Sequence, residues 1–273
     1  MTDSQVSKRH AGFTAIDLIV VVAVVLIVSA LVAVMLPMLG SRGGGSRMMM
    51  NNTQLRGIHQ GFVTFAQSNK IGGSDGYFPG LDGSGQVVPD GPSTFYSGDG
   101  THPAARLVML LNGNYFTPEY MINPADARAI EATPLVTTGE YEALTADHYS
   151  YAMLGLAEAL AKDDEGNFAA GDDTRALEWR ETLNTSAIVM SDRAIGTGRA
   201  DLSSVWTEPN RGDWRGGVVR NDNSTMFETT AEFEQTQYGN ADANALDHLF
   251  EDAPAASDAL MVFEDATTAY SKN

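Results

Sequence analysis

Cysteine is absent from the 273-residue sequence, and basic residues are scarce. Without a thiol, the chain forms no disulfide bond, no thiolate zinc site and no cysteine nucleophile. The sequence has 17 Lys and Arg residues against 35 Asp and Glu residues, which leaves a formal net charge of −18. Because such an acidic surface repels nucleic acid, we expect no nucleic-acid partner.

Histidine and paired acids do not form a catalytic pattern. The five histidines are scattered along the chain, and no H-E-x-x-H metalloprotease motif occurs. The adjacent acids Asp163-Asp164 and Asp172-Asp173 lie in polar stretches that are typical of solvated loops rather than of a general acid and its base. We therefore expect no catalytic residues, no resident cofactor and no enzymatic activity.

A long apolar run is present near the N-terminus. Residues 18–36 form a stretch of 19 residues without any charge. As a helix the run spans roughly 29 Å, close to the hydrocarbon thickness of a bilayer. Lys8 and Arg9 precede it, so the positive-inside rule places the N-terminus in the cytoplasm. A secretory signal peptide has a shorter apolar core, of about 7 to 15 residues, and a small-residue cleavage site that Met38-Leu39-Gly40 matches poorly.

The residues before the run carry a second signal. A plain single-pass anchor leaves Asp17 unexplained, because an acid at the start of a membrane helix is costly unless it is paired or interfacial. The segment from Gly12 to Asp17 reads G-F-T-A-I-D. It resembles the G-F-T-L-I-E signature of type IV prepilins and type II secretion pseudopilins.

This resemblance implies a processing site and an assembly site. In the family, a prepilin peptidase cuts after the glycine and methylates the new N-terminus, which here means cleavage between Gly12 and Phe13 and N-methylation of Phe13. Asp17 takes the place of the glutamate that pairs with the terminal amine of a neighbouring subunit. The helix dipole favours a carboxylate in the first turn, although aspartate is one methylene shorter than glutamate.

The same resemblance implies partners and a location. The partners are prepilin peptidase, other pilin or pseudopilin subunits that pack along the N-terminal helix, and the inner membrane before assembly. Residues 1–12 are then the leader peptide, and residues 13–39 are the transmembrane and assembly helix. The protein is expected in the inner membrane with its N-terminus in the cytoplasm, and afterwards in an extracytoplasmic filament.

A globular domain is predicted beyond the membrane run. Residues 40–46 contain four of the glycines and should form a flexible joint, because each glycine weakens a helix by about 1 kcal/mol relative to alanine. Residues 47–70 read as an amphipathic helix whose apolar positions recur every three or four residues. The pilin-like domain covers residues 47–273, including this helix.

The rest of the chain predicts an α+β fold. Helices are expected at residues 103–111, 156–161 and 176–183, and strands at residues 186–190, 217–220, 225–229 and 259–263. Residues 217–220 and 225–228 predict a β-hairpin. A long N-terminal helix packed on an antiparallel sheet, with loop-rich insertions, agrees with the pilin-like fold that the family implies.

Several internal segments are similar to the large pseudopilin-like proteins of planctomycetes. These segments are Asn51-Asn52 with Leu55, residues 114–126, residues 148–153, Ser191-Asp192-Arg193, and more loosely Trp214-Arg215-Gly216-Gly217. Calcium is a candidate ligand, since residues 163–173 and 221–224 offer oxygen atoms in turns and some major pseudopilins bind calcium. Neither stretch fits an EF-hand loop.

Two functions remain open on the sequence. The first is a structural subunit of a type IV pilus-like or type II secretion pseudopilus filament; its size beyond the long helix favours a minor or specialised pilin. The alternative is a single-pass, membrane-anchored acidic domain that binds a ligand outside the membrane, either with or without calcium.

Overall fold

The computed structural model describes residues 19–25, 42–70, 76–83, 85–89, 98–134, 138–141, 144–156, 175–181, 184, 187–209, 211–233, 246–251 and 259–271. The chain divides into two compact units, residues 1–46 and residues 47–273.

In the first unit, residues 19–25 are helical and are designated α1. Their side chains are exposed, with Ile19 at 67% and Val25 at 57%. The remainder of the predicted membrane helix over residues 13–39 lies outside the described residues. None of the helices within the described ranges has both the length and the apolar content needed to cross a membrane. The transmembrane helix therefore stays a prediction.

Helix α2, Arg42–Ser68, begins earlier than predicted. The sequence predicts a flexible joint over residues 40–46; residues 42–46 are helical in the structure, and the flexibility of the segment stays a prediction. Although each glycine costs about 1 kcal/mol relative to alanine, extending an existing helix adds a hydrogen bond for each residue that is fixed. The long helix that follows can therefore carry its glycine-rich first turns.

One face of α2 supplies the core that the sequence predicts. Four apolar residues of this face are fully buried: Leu55, Ile58, Phe62 and Ala66. Each of the larger side chains contributes roughly 1.5–3 kcal/mol when it leaves water. Met48 and Phe65, at the margins of the predicted stripe, are partly exposed. The amphipathic pattern is thus confirmed as a helix packed on the rest of its unit.

The strands form one main sheet and two small pairs. Their bounds are β1 Tyr151–Leu154, β2 Ile188–Asp192, β3 Ala194–Ile195, β4 Gly216–Arg220, β5 Thr225–Glu228, β6 Glu232–Phe233, β7 Asp247–His248, β8 Met261–Val262 and β9 Tyr270–Ser271. The main sheet has the order β5-β4-β2-β1-β8, and its neighbouring strands are antiparallel. Strands β3 and β9 pair in parallel, and β6 pairs antiparallel with β7. The predicted α+β class with an antiparallel sheet is confirmed.

The β4–β5 hairpin is also confirmed. Gly217 lies opposite Phe227, and Val219 lies opposite Thr225. Asn223, in the connecting turn, has a φ of 65°, a left-handed conformation that asparagine tolerates better than most residues. The turn-forming residues between two short apolar runs therefore specify this element locally.

The other helices are short. They are α3 Pro103–Asn112, α4 Arg175–Glu178 and the 3-10 helices Pro118–Met121 and Ala146–His148. The first confirms the predicted helix over residues 103–111. The predicted helix over residues 176–183 stops at Glu178, because the backbone then turns to pair with residues 77–78: the Trp179 carbonyl accepts the Phe78 N–H at 3.0 Å, and Arg180 forms an antiparallel bridge with Tyr77.

A buried arginine joins α3 to the sheet. Arg106 is fully buried, and its guanidinium donates to the carbonyl oxygens of Gly100 at 3.0 Å and Leu154 at 2.7 Å. Its guanidinium also stacks over the Trp179 ring at 4.7 Å from the centroid. Burial lowers the pKa of Arg106 to about 9. The helix is thereby fixed against the end of β1.

Candidate functional site

The predicted processing and assembly residues cannot be placed in the fold. Gly12, Phe13 and Asp17 lie outside the described residues, so cleavage, methylation and the subunit charge pair stay predictions. Within the described part of the second unit, a buried polar cluster surrounds the carboxylate of Asp192, at the end of β2. We call Asp192, Asn51, Asn123, Trp206 and Gly217 the Asp192 junction.

Four N–H groups donate to the Asp192 carboxylate. The Asn51 amide donates to Oδ2 at 2.9 Å, and the Asn123 amide donates to Oδ1 at 2.7 Å. The Trp206 indole and the Gly217 backbone N–H donate to Oδ2 at 2.8 and 2.6 Å. Charge-assisted bonds of this kind are roughly twice as strong as neutral ones. One carboxylate therefore joins four separate parts of the second unit.

The junction fixes α2 on the sheet. Asn51 lies on α2 and Gly217 lies on β4, while Asn123 follows a 3-10 helix. Close approach of α2 requires glycine at position 217, since a Cβ there would lie 2.6 Å from both the Asn51 amide nitrogen and Leu55 Cδ1. The missing side chain leaves room for the helix, and the free N–H of the same residue helps to hold the carboxylate that the helix binds.

A tyrosine sets the orientation of Asn51. The Tyr151 hydroxyl lies 2.9 Å from Asn51 Oδ1 and 3.1 Å from Gln54 Oε1. Gln54 in turn donates to the Glu119 carbonyl at 2.9 Å. Because the Asn51 side-chain oxygen faces Tyr151, the side-chain N–H of Asn51 is directed to Asp192. Burial raises the pKa of Tyr151 well above its ordinary value, so the hydroxyl stays protonated.

The electrostatics of Asp192 are set by burial and by dipoles. Burial raises the pKa of the Asp192 carboxyl to about 6, while the N–H donors of the junction favour the ionised form and lower it. The adjacent Arg193 is directed to Asp126, with Nε and Oδ2 3.2 Å apart. Within the described ranges, donor dipoles rather than a cation thus compensate the charge of Asp192.

The Arg193–Asp126 pair forms a second buried contact beside the junction. Arg193 also donates to the Ser271 hydroxyl at 2.6 Å, which ties β2 to the last described strand. Burial raises the pKa of Asp126, but Arg193, Ser150 and Arg128 outweigh this effect and lower it overall. Asp126 is therefore ionised at neutral pH and neutralises Arg193.

A second set of contacts ties α2 to the hairpin turn. His59 Nδ1 lies 3.1 Å from Asn223 Oδ1, and Arg56 donates to the Thr225 hydroxyl at 3.3 Å. Burial lowers the pKa of His59 to about 4, so the imidazole is neutral at pH 7. The α2 helix is thus held at two places on the β4–β5 hairpin.

The turn at residues 221–224 is one of the two predicted calcium stretches. Its oxygens already accept bonds, since Asp222 Oδ1 accepts the Ser224 N–H at 2.9 Å and Asn223 faces His59. Among the residues that the structure describes, no group of three or more His, Asp or Glu side chains could hold a metal ion. The other stretch, residues 163–173, lies outside the described residues.

A cavity of about 450 Å³ lies apart from the junction. Its walls include Phe250, Leu260, Thr267, Thr268 and Tyr270. The two threonine hydroxyls donate to the Asp265 carboxylate, and the Tyr270 hydroxyl donates to Glu251.

The junction is built to hold rather than to react. Asp192 is fully buried, and both of its oxygens already accept bonds, so the carboxylate has no face open to a substrate. Four of its five residues fall in the segments that resemble planctomycete pseudopilin-like proteins, at positions 51, 123, 192 and 217. Trp206 lies outside those segments, and no local pattern marks it as a partner of a residue 14 positions earlier.

Comparisons with protein families, with curated proteins and with solved structures find no match to this chain.

Proposed function

We propose that the chain is a structural subunit of a type IV pilus-like or type II secretion pseudopilus filament. The observation that carries the proposal is the N-terminal order of a basic leader, Gly12, Phe13, Asp17 and an uncharged run over residues 18–36. A cleavable leader, a new amine and an acid one turn into a membrane-length helix are the parts that such assembly requires.

The architecture of the second unit supports the proposal. A subunit that assembles through its N-terminal helix needs that helix joined firmly to its globular part, so that the filament core and surface move together. In the second unit, α2 is held on the antiparallel sheet by the Asp192 junction and by the bonds of His59 and Arg56 to the hairpin. These contacts hold α2, which follows the predicted assembly helix in the sequence, firmly on the sheet of the second unit.

The size of the globular part favours a minor or specialised subunit. Residues 69–273 follow α2, and this large addition suits a tip or accessory position better than dense repetition along a filament. The net charge of −18 also favours a solvent-facing position outside the membrane.

Mass spectrometry of the mature protein tests the processing step. The full chain is produced in cells with an active prepilin peptidase and in matched cells without it. The expected product with the peptidase begins at Phe13 and carries an N-terminal methyl group, because the leader ends at Gly12. An intact chain from Met1 in both cells contradicts the proposal and favours a plain membrane anchor.

Substitution of Asp17 tests assembly. Asp17→Ala removes the acid that pairs with the incoming amine, so we expect filaments to be lost while the processed subunit stays in the membrane. Asp17→Glu keeps the charge and should retain assembly. The matched control is Asp3→Ala, which removes an acid from the leader and should leave assembly unchanged. Normal filaments from Asp17→Ala would rule out the charge-pair role.

A further inference from the structure

The outer edge of β5 is an open hydrogen-bonding surface. Among the residues that the structure describes, strand β5, Thr225–Glu228, is an edge strand of the main sheet and has β4 as its one paired neighbour. Within the described part of the chain, no backbone hydrogen bond reaches its other side. An edge of this kind can accept a further strand.

The hairpin turn determines which groups of β5 face outward. The Arg220 N–H donates to the Ser224 carbonyl at 2.9 Å, so these two residues form a hydrogen-bonded pair. Bonded and non-bonded pairs alternate along an antiparallel ladder. Thr225 and Phe227 therefore belong to the non-bonded pairs, and their N–H and C=O groups point away from β4.

The partner strand gives an independent check of this alternation. Gly217 lies opposite Phe227, and its N–H donates to Asp192 on the far side of β4 rather than to β5. In a non-bonded pair, the N–H and C=O groups of both residues point away from the partner strand. Because Gly217 is directed away from β5, Phe227 is directed away from β4, towards the outer edge of the sheet.

Several of the usual protections of an edge strand are missing within β5. Proteins guard such edges with very short strands, charged side chains, proline or bulges, and β5 is short and carries Glu228 but has no proline, lysine or bulge. Residues 225–228 read T-M-F-E and pair with β4 in unbroken register. Their one charge, Glu228, lies 3.6 Å from Arg220 within the same hairpin. Met226, at the centre, is 50% exposed.

We propose that β5 pairs antiparallel with β5 of a second copy of this chain, with Met226 at the centre. The outward-facing residues are two positions apart, so in this register Thr225 of each copy lies opposite Phe227 of the other. Each of these two pairs exchanges two backbone bonds, which makes four in all. The edge is thus complementary to itself, as an isologous contact requires.

The charges around β5 agree with a second copy as the occupant. In the Met226-centred register, Glu228 of one copy lies opposite Ser224 of the other, so no like charges oppose each other. The two Met226 side chains meet on one face. A four-residue strand buries less than the roughly 1,200 Å² of a stable interface, so the pair is weak and forms at high local concentration. This inference rests on the hairpin alone and not on the proposed filament.

Disulfide trapping tests the pairing directly, because the chain has no cysteine of its own. Met226→Cys in the full chain, held in neutral detergent micelles, places two thiols in a non-bonded pair with Cβ atoms about 4.5–5.5 Å apart. The matched controls are Ile130→Cys and Leu246→Cys, at residues that are 60% and 59% exposed. We expect Met226→Cys to form dimers at least about tenfold faster than either control, because pairing raises the effective concentration of the thiols. Equal rates for the three variants overturn the proposal.

Two charged substitutions at position 226 distinguish a loss of β5 pairing from a loss of folding. Met226→Lys and Met226→Glu each place like charges at the centre of the contact, so each variant should capture fewer differently tagged copies of itself. A mixture of the two variants should restore capture, because lysine then faces glutamate. Met226 is half exposed but its Sδ lies 3.0 Å from Arg220 Nη1, so the thermal unfolding of each variant is measured and capture is compared at a temperature at which both are folded. Equal capture in the three combinations contradicts a contact centred on Met226.

Discussion

At the scale of single residues, Asp192 is held by donors alone. Its replacement by asparagine keeps the shape of the side chain but turns one acceptor into a donor that faces other donors. We expect Asp192→Asn to lower the free energy of unfolding by about 2–4 kcal/mol, since bonds to a charged group are lost and buried N–H groups become unpaired. Denaturant unfolding of the full chain in detergent measures the loss.

Asp213→Asn is the matched control for this substitution. Asp213 lies 3.3 Å from Arg215 in an exposed ion pair, with side-chain exposures of 38% and 52%. Exposed pairs contribute little, so the expected change is below about 0.5 kcal/mol. Equal losses from the two substitutions would show that the junction does not stabilise the fold.

The pKa of Asp192 predicts an unusual pH dependence. Its folded value of about 6 lies above the unfolded value of an aspartate, which is about 3.9. The folded chain therefore binds the proton more readily in this window, and the contribution of Asp192 to stability rises as the pH falls from 7 towards 4. Asp126 acts in the opposite direction, but only at lower pH, because its pKa is lowered.

A comparison of pH 7 with pH 5 isolates the contribution of Asp192. The parent chain should gain about 1 kcal/mol more in unfolding free energy between these values than Asp192→Asn does. Other titrating groups contribute equally to both chains and cancel in the difference. The same pH response from both chains would mean that Asp192 keeps an ordinary pKa when folded.

At the scale of elements, the contact between α2 and β4 depends on one glycine. Gly217→Ala places a methyl group 2.6 Å from both Asn51 Nδ2 and Leu55 Cδ1, so the helix must move away from the strand. We expect a loss of about 1–3 kcal/mol, as is usual for overpacking. Thermal or denaturant unfolding measures the effect.

Gly45→Ala, in α2 itself, should have the opposite effect on stability. An added Cβ at Gly45 meets no atom within 4 Å, and the residue is helical. Alanine should therefore stabilise the helix by up to about 1 kcal/mol. If Gly45→Ala destabilised the chain as much as Gly217→Ala, the loss would not come from the approach of α2 to β4.

The elements also show what local sequence can predict. The β4–β5 hairpin and α3 were predictable, because turn residues, strand-forming runs and an N-terminal proline act over a few positions. Strand β1, Tyr151–Leu154, is buried at every position, so it shows no alternation that would identify it. The start of α2 at Arg42 was missed because helix extension outweighs the local cost of glycine.

The Asp192 junction lay beyond prediction for a different reason. Asn51 and Asp192 are 141 positions apart, and no spacing rule connects them. Positions 51, 123 and 192 lie in segments that are similar to pseudopilin-like proteins, but this similarity did not indicate that the three residues meet. Only the register of β2 beside β4 brings the carboxylate to the Gly217 N–H and to the helix above it.

At the scale of the whole molecule, net charge opposes every contact between copies. Each chain carries −18, whereas both the filament and the β5 pairing require two chains to approach. The range of this repulsion is set by salt, from roughly 30 Å at 0.01 M ionic strength to about 8 Å at 0.15 M. Local contacts such as the β5 edge act only over a few ångströms, so they take effect once the long-range field is screened.

Moderate salt should therefore accelerate the association of two copies, because it screens the repulsion between their net charges. For Met226→Cys in uncharged detergent, we expect disulfide dimers to form several-fold faster at 0.15 M than at about 0.01 M ionic strength, because screening shortens the repulsion. Reaction of the same thiol with a small uncharged disulfide reagent is the control, and its rate should not change with salt. A cross-linking rate that falls as salt is added would mean that attraction between local charges, rather than the net charge of the chain, governs the encounter. The backbone bonds of the β5 edge carry no net charge, so salt should not weaken them, and the cross-linking rate should rise with ionic strength as the net repulsion is screened.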